Sequence, residues 1–140
     1  MLLEHLGLIG NCQFAALIES TGSVVWCCLP RFDSEPVFGA LLDPDGGRFS
    51  VSPADGSQGS QKYLENTNVL ETTFEGPDGR FRVLDVARRF EQHGRMFRPT
   101  LLMRIIEPLE GSPRISVRCE PVLGWSKKPP VGVGGSNHLN

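Results

Sequence analysis

The sequence predicts an all-β protein, an antiparallel β-sandwich of short strands, and three observations lead to this prediction. Apolar residues alternate with polar ones over short segments, which is the period of strands that bury one face. The 140 residues include 16 glycines and 11 prolines, a proportion that favours frequent turns and disfavours long helices. Hydrophobic residues make up 39% of the chain, enough to form the core of one domain.

The first predicted hairpin lies near the start of the chain. Residues 14–19 and 23–29 are rich in apolar residues, and Ser20-Thr21-Gly22 between them predicts a turn in which the glycine adopts a positive φ. The second strand leaves its sheet at Pro30, because proline cannot donate a hydrogen bond to a neighbouring strand.

One short helix is predicted after the loop Pro30-Arg31-Phe32-Asp33. Asp33 or Ser34 can accept a hydrogen bond from the first free N–H groups of a helix, and Pro36 suits its first turn. The apolar residues that would share one face of this helix are Val37, Phe38, Leu41 and Leu42.

The rest of the chain predicts further strands. Residues 49–53 predict an edge or half-buried strand, and the polar residues 54–61 predict a mobile loop. Two more hairpins are predicted, 69–75 with 80–86 across Gly76-Pro77-Asp78-Gly79, and 100–106 with 114–122 across Glu110-Gly111-Ser112-Pro113. Residues 124–140 predict either a flexible terminus or a domain that lacks its last strands.

Charge and hydropathy exclude several classes of partner. The net charge is −2 and the sequence shows no cluster of Lys and Arg, which argues against nucleic acids and anionic membranes as partners. The longest apolar run, residues 24–29, is too short to span a bilayer. The first basic residue is Arg31, so a positively charged leader is missing and we expect a cytoplasmic location.

The cysteines and histidines do not predict a metal centre. Cys12, Cys27, Cys28 and Cys119 form no C-x-x-C pair, and the three histidines have no ligand-like spacing. We therefore expect no metal and no cofactor, and we expect the cysteines to be small buried thiols in a reducing compartment.

No residue is predicted to be catalytic. The glycine-rich residues 132–136 precede no helix that could bind a phosphate, and no G-x-S-x-G motif is present. Acidic residues occur in close pairs, each with an ordinary role as a cap, a turn residue or an exposed strand residue. These pairs are Asp33/Glu35, Asp43/Asp45 and Glu71/Glu75.

The loop residues Arg31, Phe32 and Asp33 allow two interpretations. An arginine, an aromatic ring and a carboxylate on a short loop suit sugar recognition, through stacking and bidentate hydrogen bonds. Alternatively Asp33 caps the following helix, Arg31 pairs with a carboxylate and Phe32 fills the end of the sandwich. The residues by themselves leave both interpretations open.

Several segments together resemble a known domain. They are Leu8-Ile9-Gly10-Asn11-Cys12, Ala15-Ala16-Leu17, Gly22-Ser23-Val24-Val25-Trp26, Leu29-Pro30-Arg31-Phe32-Asp33-Ser34, Phe38, Ala40-Leu41-Leu42, Tyr63-Leu64, Thr67-Asn68-Val69-Leu70-Glu71-Thr72, Val83-Leu84-Asp85 and Gly135-Ser136-Asn137-His138. This set resembles the N-terminal domain of glycoside hydrolase family 15, which includes bacterial glucoamylases, glucodextranases and trehalase-like enzymes. The segment 26–34 is the most specific part of the resemblance.

The resemblance implies a non-catalytic domain in a larger enzyme. It implies a β-sandwich of the super-sandwich type that precedes a catalytic barrel of paired helices. Two glutamates of that barrel would perform an inverting hydrolysis of α-glucosidic bonds, and both would lie beyond Asn140. Residues 1–140 would then be a single β-sandwich domain, incomplete at its C-terminus.

The same resemblance suggests partners for the domain. The catalytic barrel would pack against it, and an α-glucoside at the domain interface could contact Arg31, Phe32 and Asp33. Because a truncated sandwich exposes unpaired strand edges, we also expect the fragment to form an edge-to-edge or strand-swapped homodimer. The alternative is a free-standing carbohydrate-binding module, for which Trp26, Trp125 and Tyr63 could provide aromatic contacts.

Overall fold

Twelve strands and two short 3₁₀ turns form the described part of the chain, residues 3–132 and 134–136 of a computed structural model. The 3₁₀ turns are Leu3–His5 and Gly124–Ser126. The strands are β1 (Leu6–Gly10), β2 (Ala15–Glu19), β3 (Ser23–Cys28), β4 (Pro36–Phe38), β5 (Arg48–Pro53), β6 (Ser60–Tyr63), β7 (Leu70–Gly76), β8 (Gly79–Ala87), β9 (Phe90–Gln92), β10 (Arg95–Phe97), β11 (Leu102–Gly111) and β12 (Ile115–Glu120).

The strands form two antiparallel sheets that pack face to face. The first sheet has the order β1-β2-β3-β5-β12, with the short strand β4 also paired to β3, and the second has the order β11-β8-β7-β6. Strands β9 and β10 form a separate hairpin. This architecture confirms the predicted all-β antiparallel sandwich. No helix in the described residues has the length and apolar character needed to cross a membrane.

The core lies between the two sheets. One cluster is built around Ile9, Phe14, Ile18 and Val24, and a second contains Val51, Phe74, Phe81 and Val83. In the second cluster the rings of Phe74 and Phe81 stack with their centroids 4.9 Å apart. Burial of these side chains from both sheets is the main force that holds the layers together.

A buried ion pair also joins the sheets. Arg104 on β11 is 2% exposed, and its Nε donates to Oδ1 of the fully buried Asp85 on β8 at 2.6 Å. The same guanidinium donates to the carbonyl oxygens of Phe49 (2.7 Å) and Gly22 (2.8 Å) in the other sheet. A buried charge is tolerated when it is paired and hydrogen-bonded, and both Arg104 and Asp85 meet this condition.

Two of the predicted hairpins are confirmed. Strands β2 and β3 pair across the turn at Gly22, which has a φ of +81° and passes so close to the Val51 carbonyl that a Cβ atom there would lie 2.0 Å from its oxygen. Strands β7 and β8 pair with Gly76 opposite Gly79.

The predicted helix after Asp33 is wrong. Residues Pro36–Phe38 form β4, which pairs with β3, and turns follow until residue 47. Phe38 is buried in the core through this pairing, whereas Leu42, assigned to the same helix face, is exposed. The free backbone groups of β3 compete successfully with a helix of less than two turns, because so short a helix is costly to nucleate.

The predicted pairing of residues 100–106 with 114–122 is also wrong. Strand β11 pairs with β8 and strand β12 pairs with β5, so the connection between them passes from one sheet to the other. Each strand thereby extends a sheet that already has a buried face. Residues 60 and 61 of the loop predicted at 54–61 belong to β6, which begins at Ser60. Strand β5 lies inside its sheet, between β3 and β12, and is half-buried, which is the second of the two predicted alternatives.

The residues directly after β12 form contacts with one another and with the sandwich. Leu123 N–H donates to the Lys128 carbonyl at 2.9 Å, and Lys127 forms an ion pair with Asp43. Of the segments discussed above, Met1, Leu2, Val133 and 137–140 lie outside the described residues.

Candidate functional site

The loop that follows β3 forms a tight turn at one end of the sandwich. The Leu29–Pro30 peptide bond is cis, and Ser34 N–H donates to the Arg31 carbonyl at 3.0 Å. Thr100 Oγ1 donates to the Pro30 carbonyl at 3.4 Å and connects the loop to the segment before β11. These contacts fix the backbone that carries the side chains of Arg31, Phe32 and Asp33.

Arg31 and Asp33 pair with each other on this loop. Arg31 Nε donates to Asp33 Oδ1 at 2.9 Å, and a second nitrogen of the guanidinium contacts Oδ2. The hydrogen bond from Arg31 lowers the pKa of Asp33, and the same bond raises the pKa of Arg31. Both side chains are exposed, so the loop presents a charged, planar pair to solvent.

Phe32 projects from the same turn and is 63% exposed. It therefore does not fill the end of the sandwich, and Asp33 caps no helix because none forms there. Arg31 does pair with a carboxylate, as the structural interpretation required. The structure thus brings the three predicted residues together on an exposed turn without showing a ligand role for them.

Asn11 is a site residue that the sequence analysis did not identify. It lies in the β1–β2 turn and is buried against the segment that joins β8 to β11. Its Nδ2 donates to the carbonyls of Arg88 and Pro99, both at 2.9 Å, and its Oδ1 accepts from the N–H groups of Gln13 and Phe14. A Gly-Asn pair directly after a strand is the signal that could have predicted this turn.

The candidate aromatic residues occupy two separate places. Trp26 and Trp125 contact each other with ring centroids 6.3 Å apart and planes inclined by 46°, and Trp125 is 62% exposed. Tyr63 is also exposed, but its hydroxyl donates to the Leu8 carbonyl at 2.8 Å and so connects β6 to β1. The two tryptophans are therefore the pair that could contact a sugar ring.

The acidic pairs have structural partners. Glu71 contacts Lys62 and Arg82, and Asp43 contacts Lys127. Among the described residues, no group of three His, Cys, Asp or Glu side chains is arranged to hold a metal ion.

The prediction of buried cysteines is wrong for Cys12 and Cys119, which are exposed, and is confirmed for Cys27 and Cys28. The adjacent thiols of Cys27 and Cys28 lie within β3. Both are buried, and burial raises the pKa of Cys27 to about 12, with a further rise from the neighbouring Cys28. Because the thiolate is the reactive form of cysteine, these residues serve as packing groups and not as nucleophiles.

Fold and site together define a β-sandwich domain that presents an exposed charged loop. Comparison with known proteins identifies the family: the family described as trehalase-like, N-terminal, matches residues 1–127. The chain belongs to this family, which confirms the resemblance found in the sequence. No solved structure matches the chain significantly.

Three relatives illustrate the similarity. Trehalase 1 of Sulfolobus acidocaldarius is 46% identical over 85 residues, which is 60% of this chain and 15% of that protein. The trehalases of Mycolicibacterium smegmatis and Mycobacterium tuberculosis are 31% and 30% identical over 139 residues, 89% of this chain in each case. The chain spans 21% and 20% of those two proteins, about a fifth of their length.

Proposed function

We propose that this chain is the non-catalytic N-terminal domain of a glycoside hydrolase that cleaves α-glucosidic bonds, and that it packs against and supports a catalytic barrel of paired helices. The observation that carries the proposal is the family match over residues 1–127, combined with trehalase relatives of which the chain spans about a fifth. The remaining length of such relatives leaves room for a separate catalytic part.

An activity assay tests this proposal directly. The parent protein should hydrolyse trehalose or another α-glucoside, whereas the 140-residue chain alone should not release the aryl group of an aryl α-glucoside. Turnover by the chain above a heat-inactivated control would contradict a non-catalytic role.

We further propose that residues 1–140 are a single sandwich domain that the parent protein completes with additional strands. Strands β11 and β12 each have one unpaired edge. Val117 on β12 is 55% exposed although it lies opposite the buried Val51, and Ile106 on β11 is exposed although it lies opposite the buried Val83. Apolar side chains on the inner faces of both edge strands support a covering element at this side.

The loop Arg31-Phe32-Asp33 is proposed to contact the rim of the sugar site. The exposed Phe32 ring could stack on a pyranose, and the paired Arg31 and Asp33 could exchange hydrogen bonds with its hydroxyl groups. In the described residues this turn combines an exposed aromatic ring with an exposed bidentate ion pair.

Replacing Arg31 in the parent enzyme tests the role of the loop. Arg31→Ala should lower kcat/KM by about tenfold, the effect of losing one charged hydrogen bond, and leave Tm nearly unchanged because exposed ion pairs contribute little to stability. Arg114→Ala is a matched control, since Arg114 forms a similar exposed pair with Asp78. If Arg31→Ala instead lowers Tm and leaves kcat/KM unchanged, the role of the loop is structural.

The second candidate function is a free-standing carbohydrate-binding module, which the pairing of the half-buried Trp26 with the exposed Trp125 favours. Titration of the chain with maltose, trehalose and isomaltose, followed by tryptophan fluorescence, discriminates between the two. Saturable binding that Trp125→Ala abolishes would support the module, whereas an unchanged spectrum supports the enzyme domain.

A cytoplasmic location is part of the proposal. All four cysteines are free thiols, and two of them lie side by side in β3. Free thiols suit a reducing compartment.

A further inference from the structure

We propose that residues 88–98, here called the arginine hairpin, are a docking arm that binds an acidic protein surface on the catalytic part of the parent enzyme. This inference rests on the proposed function and adds the surface through which the two parts meet. The arginine hairpin consists of β9, the turn His93–Gly94, β10 and the flanking arginines.

The arginine hairpin stands apart from both sheets. Strands β9 and β10 pair only with each other, and all their residues except the half-buried Phe90 are exposed. The rings of Phe90 and Phe97 stack with centroids 5.4 Å apart, and the Arg88 guanidinium lies over the Phe90 ring at 5.0 Å. A lone two-stranded hairpin is marginally stable in water, so burial against a partner suits it.

The base of the arginine hairpin is fastened to the sandwich. Asn11 donates to the carbonyls of Arg88 and Pro99, one at each end of the segment. Arg89 also contacts the Cys12 sulfur at 3.5 Å. The orientation of the arm is therefore set by the β1–β2 turn, and this favours a preformed docking element over one that orders only on binding.

The arginines of the arginine hairpin have no carboxylate partner among the described residues. Residues 88–98 contain four arginines and a single acidic residue, Glu91. Among the described ion pairs none involves these arginines, whereas five of the seven arginines elsewhere contact a carboxylate: Arg31, Arg80, Arg82, Arg104 and Arg114. The expectation that the sequence holds no cluster of Lys and Arg is thus wrong, because these four arginines lie within eleven consecutive residues.

The composition of the arginine hairpin matches the centre of a protein–protein interface. Arginine, aromatic residues and methionine are enriched there, and lysine is depleted. The hairpin exposes Met96 (48%) and Phe97 (41%) among its arginines and contains no lysine. An exposed patch of this kind on a protein of this size marks a binding surface.

Charge decides which partner suits this surface. An α-glucoside is neutral and cannot neutralise four arginines that lack a carboxylate partner, and the net charge of −2 disfavours a polyanion such as nucleic acid. A folded protein surface with Asp and Glu around an apolar pocket complements both the charge and the exposed rings. The catalytic part of the parent enzyme is the partner that the proposed function places beside this domain.

Hydroxyl-radical footprinting of Met96 in the intact parent protein tests the docking. In the wild type Met96 should react slowly, and in the variant Arg95→Glu/Arg98→Glu its oxidation rate should rise about fivefold or more, because the core of an interface excludes solvent. Met103 on β11 is the internal reference. The control is Arg80→Glu/Arg114→Glu, which changes the charge equally at the other end of β8, about 26 Å away along the strand.

The possible results distinguish docking on the catalytic part from self-association and from binding to nucleic acid or membranes. Equal Met96 oxidation in the wild type and Arg95→Glu/Arg98→Glu would overturn the proposal, as would protection that depends on protein concentration or on added duplex DNA or phosphatidylserine vesicles. If the double variant unfolds, slow amide exchange of residues 90–97 in the wild-type parent supports docking and fast exchange overturns it. These measurements report contact and not hydrolysis, so they can fail while the proposed activity stands.

Discussion

At the scale of single residues, four backbone groups meet the side chain of Asn11. Its amide nitrogen donates hydrogen bonds to two carbonyls from the segment between β8 and β11. Its amide oxygen accepts hydrogen bonds from two N–H groups of its own turn. A buried asparagine with all these groups satisfied fixes the relative positions of two loops. Those two carbonyls belong to the first residue of the arginine hairpin and to the residue directly after it, so Asn11 also fixes the orientation of the hairpin.

Removing this side chain should destabilise the domain. Asn11→Ala leaves two carbonyls and two N–H groups without partners, and the free energy of unfolding should fall by about 2–3 kcal/mol. Urea denaturation measures the change. Asn68→Ala is the control, because Asn68 is exposed and bonds only the Gly10 carbonyl, so its loss should cost below about 1 kcal/mol. Equal losses in the two variants would contradict the role assigned to Asn11.

At the scale of elements, a row of charges crosses the outer face of the second sheet. Lys62 on β6 and Arg82 on β8 both contact Glu71 on β7, at 3.1 Å and 2.8 Å, and Arg82 also contacts Glu107 on β11 at 2.6 Å. Four adjacent strands are thereby connected through their side chains. Cross-strand pairs of opposite charge add to the stability of a sheet, and the buried position of Glu71 shields this one from solvent.

The state of Glu71 should make stability depend on pH. Burial raises its pKa, but hydrogen bonds from Lys62 and Arg82 outweigh this effect, so the pKa lies below its usual value of 4.5. Because the pKa is lower in the folded state, ionised Glu71 stabilises the protein, and this contribution is complete when the pH is above the usual pKa. The contribution is lost as the pH falls through the pKa of the folded state. Tm should therefore drop on acidification below about pH 4.5.

The variant Glu71→Gln isolates this contribution. It should lower Tm near neutral pH, and its Tm should fall less steeply than that of the wild type on acidification, because Gln does not titrate. Thermal unfolding followed by circular dichroism over this pH range measures both slopes. Glu75→Gln serves as control, since Glu75 is exposed and 3.7 Å from Arg80. Parallel Tm curves for wild type and Glu71→Gln would refute the assignment.

At the scale of the whole molecule, the sandwich is closed on one side and open on the other. Tyr63 and Gln61 of β6 bond to backbone groups of the first sheet and close one side. On the other side β11 and β12 present free edges with apolar inner faces. Such edges pair readily with another chain.

We expect the 140-residue chain by itself to associate through these edges. Light scattering should show dimers or larger species that increase with concentration. Val117→Lys should restore the monomer, because a lysine pointing inward on an edge strand opposes pairing. Val131→Lys, at an exposed position outside the strands, is the control. A clean monomer at high concentration would contradict the expectation.

Local signals in the sequence were sufficient for the all-β class, for the family and for hairpins whose two strands are adjacent in the chain. The turn at Gly22 and the turn between Gly76 and Gly79 are examples, because a short loop brings its two strands together whatever the rest of the chain does. The loop Arg31-Phe32-Asp33 was identified in the same way, as a break after an apolar run.

Only the tertiary structure decided the contacts between distant segments. The pairing of β11 with β8 and of β12 with β5, the burial of Arg104 beside Asp85, and the strand at Pro36–Phe38 all depend on neighbours far along the chain. Only the structure showed that the four arginines of residues 88–98 lie on a hairpin separate from both sheets, because β9 and β10 pair only with each other. The physical reason is that alternation of apolar and polar residues specifies which face of a strand is buried, while the choice of partner depends on which free edge the folded core leaves within reach.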